Sequence, residues 1–280
     1  MGTSPHIDPP FGALALPPKR EAIRASANRL GESRLGRWGI SYRRKRSIRG
    51  LTEPFDVEVA DGVNARLYPS TNRCEKRALC GVQIWDRVER GALRDAISAS
   101  PQDRFIFLDI GANIGLYSLF AHSYAAAAHQ PIRLLAVEPS SDMGARLSVN
   151  AAASGANIDL IRTAIAVEAG EVFLSDGGGN RGEAQLAESG EAVMAMTLLQ
   201  LCAQYEVARI DALKLDIEGQ DLAVLTQFFE QAPKTLHPQM MILELDENSS
   251  APLIELTQAY NYLIRTRTRM NIVVRKRDQT

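Results

Sequence analysis

Cysteine and histidine are scarce in this chain: three of the first (Cys74, Cys80, Cys202) and four of the second among 280 residues. Three cysteines cannot close a disulfide framework, and their spacing against the histidines fits no zinc pattern. A reducing compartment, the cytoplasm, is therefore the expectation. No apolar run approaches the ~20 residues that span a bilayer. The short apolar stretch 11–16 is followed, not preceded, by Lys19-Arg20, which is the wrong order for a signal peptide. Aromatic residues make up only 6% of the chain, yet the hydrophobic fraction is 45% and the charged fraction 23%, ordinary for a globular protein and wrong for a disordered or collagen-like one.

Excess charge is also lacking, since the formal net charge is −1. That figure hides a segregation. Residues 1–50 carry +8, residues 261–280 carry +5, and the stretch between carries −14. The basic stretch 34–49, RLGRWGISYRRKRSIR, interleaves Trp38 and Tyr42 with its cations. Such a pattern suits nucleic acid or anionic lipid, against the plainer reading of a solvated arm folded back on the acidic body.

Periodicity divides the chain into a basic, flexible or partly helical leader (1–50), a β-hairpin and helix extension (51–100) and an α/β domain (101–280). The run FDVEVADGVNARLYP alternates apolar and polar residues around Asp61-Gly62 and predicts the hairpin, with a helix over 82–97. After Pro101, apolar runs at 104–110, 133–137, 158–162, 171–174, 212–216 and 240–245 alternate with helical patterns. The segment 177–191 reads as a Gly/Glu-rich loop. Two last strands, near 261–265 and 271–275, form an antiparallel edge. The fold expected is a Rossmann-like, mostly parallel sheet with helices on both faces.

The most informative segment, LDIGANIG at 108–115, sits where the first parallel strand turns into a helix, the ligand crevice of an open α/β sheet. Gly111 and Gly115 allow close backbone approach, but their spacing is not that of a pyrophosphate loop. No G-x-x-x-x-G-K-[ST] string occurs in the chain. Asp109 beside the loop repels a pyrophosphate and favours an ammonium. Glu138, ending the second strand, is placed to accept ribose hydroxyls. Ribose, an amino-acid tail and no phosphates describe S-adenosyl-L-methionine.

With those residues in view, the strings LDIGANIGLYSL (108–119), AVEP (136–139) and KLDIEG (214–219) resemble the FkbM-type methyltransferases, of the class I S-adenosylmethionine-dependent fold. The resemblance runs from about Phe105 to Leu245. It implies that Asp109, Gly111, Asn113, Gly115 and Glu138 bind the cofactor, that Ala164 lies by the adenine, and that the reaction is O-methylation of a natural product or glycan. Gln220-Asp221 departs from the family, which commonly has His or Ala followed by Glu.

An alcohol nucleophile must lose a proton, so a base or a metal is expected at the sheet's end. In a strand, i and i+2 share a face, which brings Lys214, Asp216 and Glu218 together. Asp216, with Glu218 assisting, is the expected catalytic base. Alternatively the pair, with Glu244, holds Mg²⁺, or Lys214 simply neutralises Asp216 or Glu244 inside the sheet. Asp211, at the strand's other end, is expected to be solvated, and His122 and His237 to be structural. After the fourth strand the chain has no N/D-P-P-Y/F string of amino-methylating enzymes, and no cysteine follows a proline as in cytosine-C5 enzymes, which together with the resemblance leaves an oxygen acceptor on a small molecule or glycan. Rival readings are an RNA methyltransferase using the basic leader, and a cofactor-binding scaffold without turnover.

Overall fold

The computed structural model describes residues 9–175, 186–187, 189–217, 219–245 and 250–277. Its centre is a seven-stranded sheet of β3 (Phe105–Ile110), β4 (Ile132–Val137), β5 (Ile158–Ile161), β10 (Ala212–Leu215), β11 (Met240–Glu244), β12 (Tyr262–Arg267) and β13 (Asn271–Lys276). The order is β12-β13-β11-β10-β3-β4-β5. The five strands from β11 to β5 run parallel. β13 joins β11 antiparallel, and β12 closes that edge, so the expected antiparallel edge is present. Because both faces of a parallel strand are covered, side chains alternate between two cores. Phe105 and Phe107 of β3 face one core, and Ile106, Leu108 and Ile110 face the other.

The first core lies under α5 (Leu116–Ala127) and the N-terminal extension; the second lies under α7 (Leu198–Gln204) and α8 (Asp221–Gln231). The extension holds α1 (Pro18–Ser26), α2 (Arg34–Ile48), the hairpin β1 (Phe55–Ala60) and β2 (Val63–Leu67), α3 (Arg73–Leu79) and α4 (Arg87–Ser98). The hairpin pairs as expected, with Gly62 at φ +71 in its two-residue connection. Its polar centre is Asp56, bound through both oxygens by Arg66 at 2.7 and 2.9 Å, both side chains buried. Asp56 also accepts from the backbone of Gly12 and Leu14, and the Arg66 amide donates to Asn150 of α6 (Ser141–Ser154). The extension is thereby fastened to the sheet domain by groups that have no solvent to fall back on.

Within the basic leader, residues 34–48 form a 15-residue helix started by Ser33, whose hydroxyl accepts from Gly36 N at 3.1 Å. Two expectations are corrected. The helix expected over 82–97 begins only at Arg87, because Asp86 takes a left-handed conformation (φ 42), and α3 precedes it unforeseen. The run at 171–174 lies within β7 (Gly170–Leu174), in a second sheet with β6 (Ala164–Ile165), β8 (Leu186–Ala187) and β9 (Glu191–Met196), order β6-β9-β7-β8; most of the loop expected over 177–191 lies outside the described residues, and its described part holds β8 and the start of β9. Among the described residues no helix is long and apolar enough to cross a membrane.

Candidate active site

A cavity of about 260 Å³ opens at the C-terminal edge of β3, β4 and β10, where the strands hand over to their loops. Gly111 ends β3 at φ +73, and a Cβ there would lie 1.9 Å from the Asp216 carbonyl oxygen. Only glycine permits this approach of the two strand ends. Gly115 starts α5 at φ +85 against the Leu147 side chain. Between them Asn113, also left-handed (φ 53), aims its amide at Glu138 Oε2, 2.7 Å away. Glu138 Oε1 accepts the Ser140 amide at 2.9 Å. The carboxylate is held rigidly by one amide per oxygen, and each oxygen keeps a further lone pair. Burial raises its pKa to about 7 against the pull of those two amides.

Gly111, Asn113, Glu138, Ala164 and Asp216 all line this one cavity. Pro139, Met143, Ile165 and Leu174 add apolar surface to the same lining. Asp109 is placed differently from expectation. The β3 register turns it toward α5, where it is fully buried beneath the loop and outside the cavity lining, its Oδ2 taken by Ser118 N (3.0 Å) and Oγ (2.7 Å). Burial raises its pKa, opposed by Lys214 and Ser118. Glu218 lies outside the described residues.

Parallel pairing sets Lys214 of β10 opposite Asp109 of β3. Lys214 and Asp216 do share a face, with Nζ 2.9 Å from Asp216 Oδ2 and 3.4 Å from the Gly111 carbonyl. The ammonium lies 5.4 Å from the Tyr117 ring centre. Burial alone would lower the Lys214 pKa, but the Asp216 and Asp109 carboxylates raise it. Burial alone would raise the Asp216 pKa, but Lys214 and a hydrogen bond with Glu244 lower it. Asp216 is thus an ionised carboxylate at neutral pH, held in place by a cation. Among the described residues no group of three or more His, Cys, Asp or Glu is placed to hold a metal ion. Asp211 is buried, not solvated: it accepts the Ile106 amide at 2.7 Å and pairs with Arg209. His237 packs among Phe228, Phe229 and Tyr260, away from the cavity.

The far wall went unread in the sequence. Asn72 caps α3 and donates to Asn113 Oδ1 at 2.9 Å, tying α3 to the glycine loop. Asp86 directly precedes α4, where an aspartate ordinarily caps its own helix. It makes no such bond, and instead accepts from Tyr117 Oη at 3.0 Å at the cavity wall. Burial, then Glu89, raises its pKa. Asn271 reaches the lining from β13 and donates to the buried Glu89 at 3.2 Å. Tyr117 lay within the string LDIGANIGLYSL, and Asn72 three residues before Glu75 was a readable helix start; Asp86 and Asn271 carried no local signal.

The family model described as the methyltransferase FkbM domain matches residues 109–264, more than half of the chain. The chain belongs to the FkbM methyltransferase family. As a member it is an S-adenosylmethionine-dependent methyltransferase, and the cavity offers a fixed carboxylate, apolar surface and further acidic groups. No curated protein sequence matches it. Similar solved structures include a SAM-dependent methyltransferase from Agrobacterium tumefaciens (14% identity, 82% of this chain and 72% of that one, TM-score 0.46). Others are the METTL16 methyltransferase domain (13%, 67% and 66%, TM-score 0.41) and M. capricolum TrmK with S-adenosylhomocysteine (12%, 67% and 67%, TM-score 0.38). Similarity of this degree says nothing of the substrate of this FkbM-family chain.

Proposed function

We propose that this FkbM-family enzyme O-methylates a hydroxyl on a sugar, glycolipid or secondary metabolite. The observation that carries the reading is the cavity itself, which brings Glu138 and the Lys214–Asp216 pair to one strand edge. Glu138, the Gly111–Gly115 loop with Asn113, and Ala164 would hold S-adenosylmethionine, which supplies an electrophilic methyl group when bound. Asp109 supports the loop from below through Ser118.

Asp216 accepts the hydrogen bond of the acceptor hydroxyl, orients its lone pair and takes its proton. A low carboxylate pKa is no obstacle here, because the hydroxyl oxygen becomes strongly acidic as the new C–O bond forms. What the task requires is an ionised oxygen in a fixed place, and Lys214 provides for both. Glu218 is proposed to assist from the loop that follows. Asn72, Asp86, Tyr117 and Asn271 offer a polar wall of the kind that recognises a hydroxylated small molecule or glycan. Three free cysteines suit the reducing cytoplasm.

The experiment is incubation with methyl-labelled cofactor and fractionated cell extract, followed by identification of the labelled product. A methyl ether on a small molecule or glycan is expected. Label in RNA, or none in any fraction, refutes the proposal. In the same assay Asp216→Asn should abolish transfer while S-adenosylhomocysteine still binds by calorimetry. Loss of activity on chelation and recovery with Mg²⁺ would instead make Asp216 a metal ligand.

A further inference from the structure

The function above leaves one feature unused, the outer face of α2. Its inner face, Gly36, Gly39, Ile40 and Ser47, is buried, with Ile40 set against Ala27, Leu30 and Cys80. The outer face carries Leu35, Trp38 and Tyr42 at i, i+3 and i+7, 83%, 68% and 49% exposed. These are large apolar groups on one stripe, with nothing covering them among the described residues. Trp38 and Tyr42 stack with ring centres 5.7 Å apart and planes 11° from parallel. Arg34, Lys45, Arg46 and Arg49 fall on the same side of the helix and are exposed, and Arg46 donates to the Tyr42 hydroxyl at 3.1 Å.

The cations are not spent on the acidic body. Among the described residues none of Arg34, Arg37, Lys45, Arg46 or Arg49 forms an ion pair, while the nearby carboxylates Glu21 and Glu32 are engaged by Arg24 and Arg87. α2 contains no acidic residue. A surface that is cationic, aromatic and aliphatic on one stripe is complementary to an anionic bilayer interface. Hydrocarbon receives the leucine and the ring faces, and long basic side chains reach the headgroups. A nucleic acid would match the charge and the rings but has no use for a leucine as exposed as Leu35.

We propose that α2 docks this protein on anionic lipid surfaces, with Leu35, Trp38 and Tyr42 entering the interface and Arg34, Lys45, Arg46 and Arg49 binding lipid phosphates. The chain has two tryptophans, and Trp85 is only 8% exposed, so a change in emission on binding reports Trp38. The full chain is titrated with vesicles of phosphatidylcholine containing about one third phosphatidylglycerol, and with phosphatidylcholine alone. Expected are co-sedimentation and a blue shift with the anionic vesicles only, both reversed by about 0.5 M salt. Each cation removed should weaken partitioning about fivefold, so Lys45→Gln with Arg49→Gln should weaken it roughly 25-fold. Trp38→Ser with Tyr42→Ser should abolish it with the melting curve unchanged; if that variant does not fold, the cation pair decides. The proposal is overturned by no co-sedimentation with anionic vesicles, by equal binding to neutral ones, or by tighter binding of oligouridylate than of vesicles. A homodimer that shields Trp38 from acrylamide would overturn it as well.

Discussion

Three glycines with positive φ separate what conformation costs from what crowding costs. Gly155, at the end of α6, has φ +63 and no atom within 4 Å of a prospective Cβ, so Gly155→Ala meets backbone strain alone, about 1–2 kcal/mol. At Gly115 the same strain is joined by a 2.7 Å approach to Leu147 Cγ. A leucine side chain can shift within its small apolar cluster, and Gly115→Ala should lose about 2–3 kcal/mol. At Gly111 the obstacle is backbone: Cβ would stand 1.9 Å from the Asp216 carbonyl. That chain end is pinned by the Asp216 amide to Ile110 O at 3.2 Å, and β10 before it pairs with strands on both sides. Relief therefore requires prising β10 from β3, and Gly111→Ala should lose about 3–5 kcal/mol. It should also weaken S-adenosylhomocysteine binding at least tenfold, because Gly111, Ala112 and Asn113, which line the cavity, are displaced with the strand end. Urea unfolding gives the stabilities and calorimetry the affinities. If Gly111→Ala is within about 0.5 kcal/mol of Gly155→Ala, or binds the product normally, the close strand approach does not shape the site.

Glu138 is a buried acid whose pKa rises from 4.5 to about 7. Without ligand it therefore stabilises the fold below its unfolded pKa and loses that contribution, up to about 3 kcal/mol, as pH climbs through 7. Urea titrations at pH 5 and pH 8 should show this slope in the parent and a flatter one in Glu138→Gln; equal slopes would refute it. On the proposed reading the ribose hydroxyls need the ionised form, so S-adenosylhomocysteine affinity should rise across the same interval, and calorimetry at the two pH values tests that. Buried Glu75 pairs with Arg146 at 2.6 Å, and its pKa is raised to about 7 by burial against the pull of that cation. Arg146→Met should cost about 3–5 kcal/mol at pH 8, where Glu75 would be charged and alone, and less at pH 5, where it can take a proton. A loss independent of pH would refute this account.

The sheet was legible because its parallel strands are buried on both faces and read as short apolar runs, FIFLDI at β3 and MMILE at β11. The meeting of the glycine loop and Glu138 at one strand edge was legible because strand-end geometry is local. α3 was not: RCEKRAL has little apolar pattern, and beyond its local Asn72 cap it is held through Glu75 by Arg146 of α6, 71 residues away in sequence. Strand β9, EAVMAM, consists of helix formers apart from Val193 and is extended because it pairs with β7. Val82 and Trp85 have helical spacing yet are buried ahead of the helix, which starts only after the left-handed Asp86. Asp109 was misplaced for a related reason. Sequence put a carboxylate next to the loop, and only the β3 register decided that it points under it.

These failures share a direction. On the proposed reading, the cofactor side of the cavity is drawn from residues 110–216, where one strand-loop-helix unit after another repeats the same local rules. The opposite wall is drawn from residues 72–86 and 270–271, joined across the chain by Asn72 to Asn113 and linked through Glu89, which accepts from Thr268 and Asn271. Asn72 and Glu89 are buried, so loss of either contact leaves a polar group unsatisfied, and the bonds tie this wall to the glycine loop and to the β13 edge. A rigid polar wall discriminates by rejecting acceptors that leave its groups unpaired. On the proposed reading, acceptor choice is therefore set largely by the extension that precedes the family-matched segment. Changes at Asp86 should alter which hydroxyl is methylated without altering cofactor affinity, as product analysis alongside calorimetry of Asp86→Asn can decide.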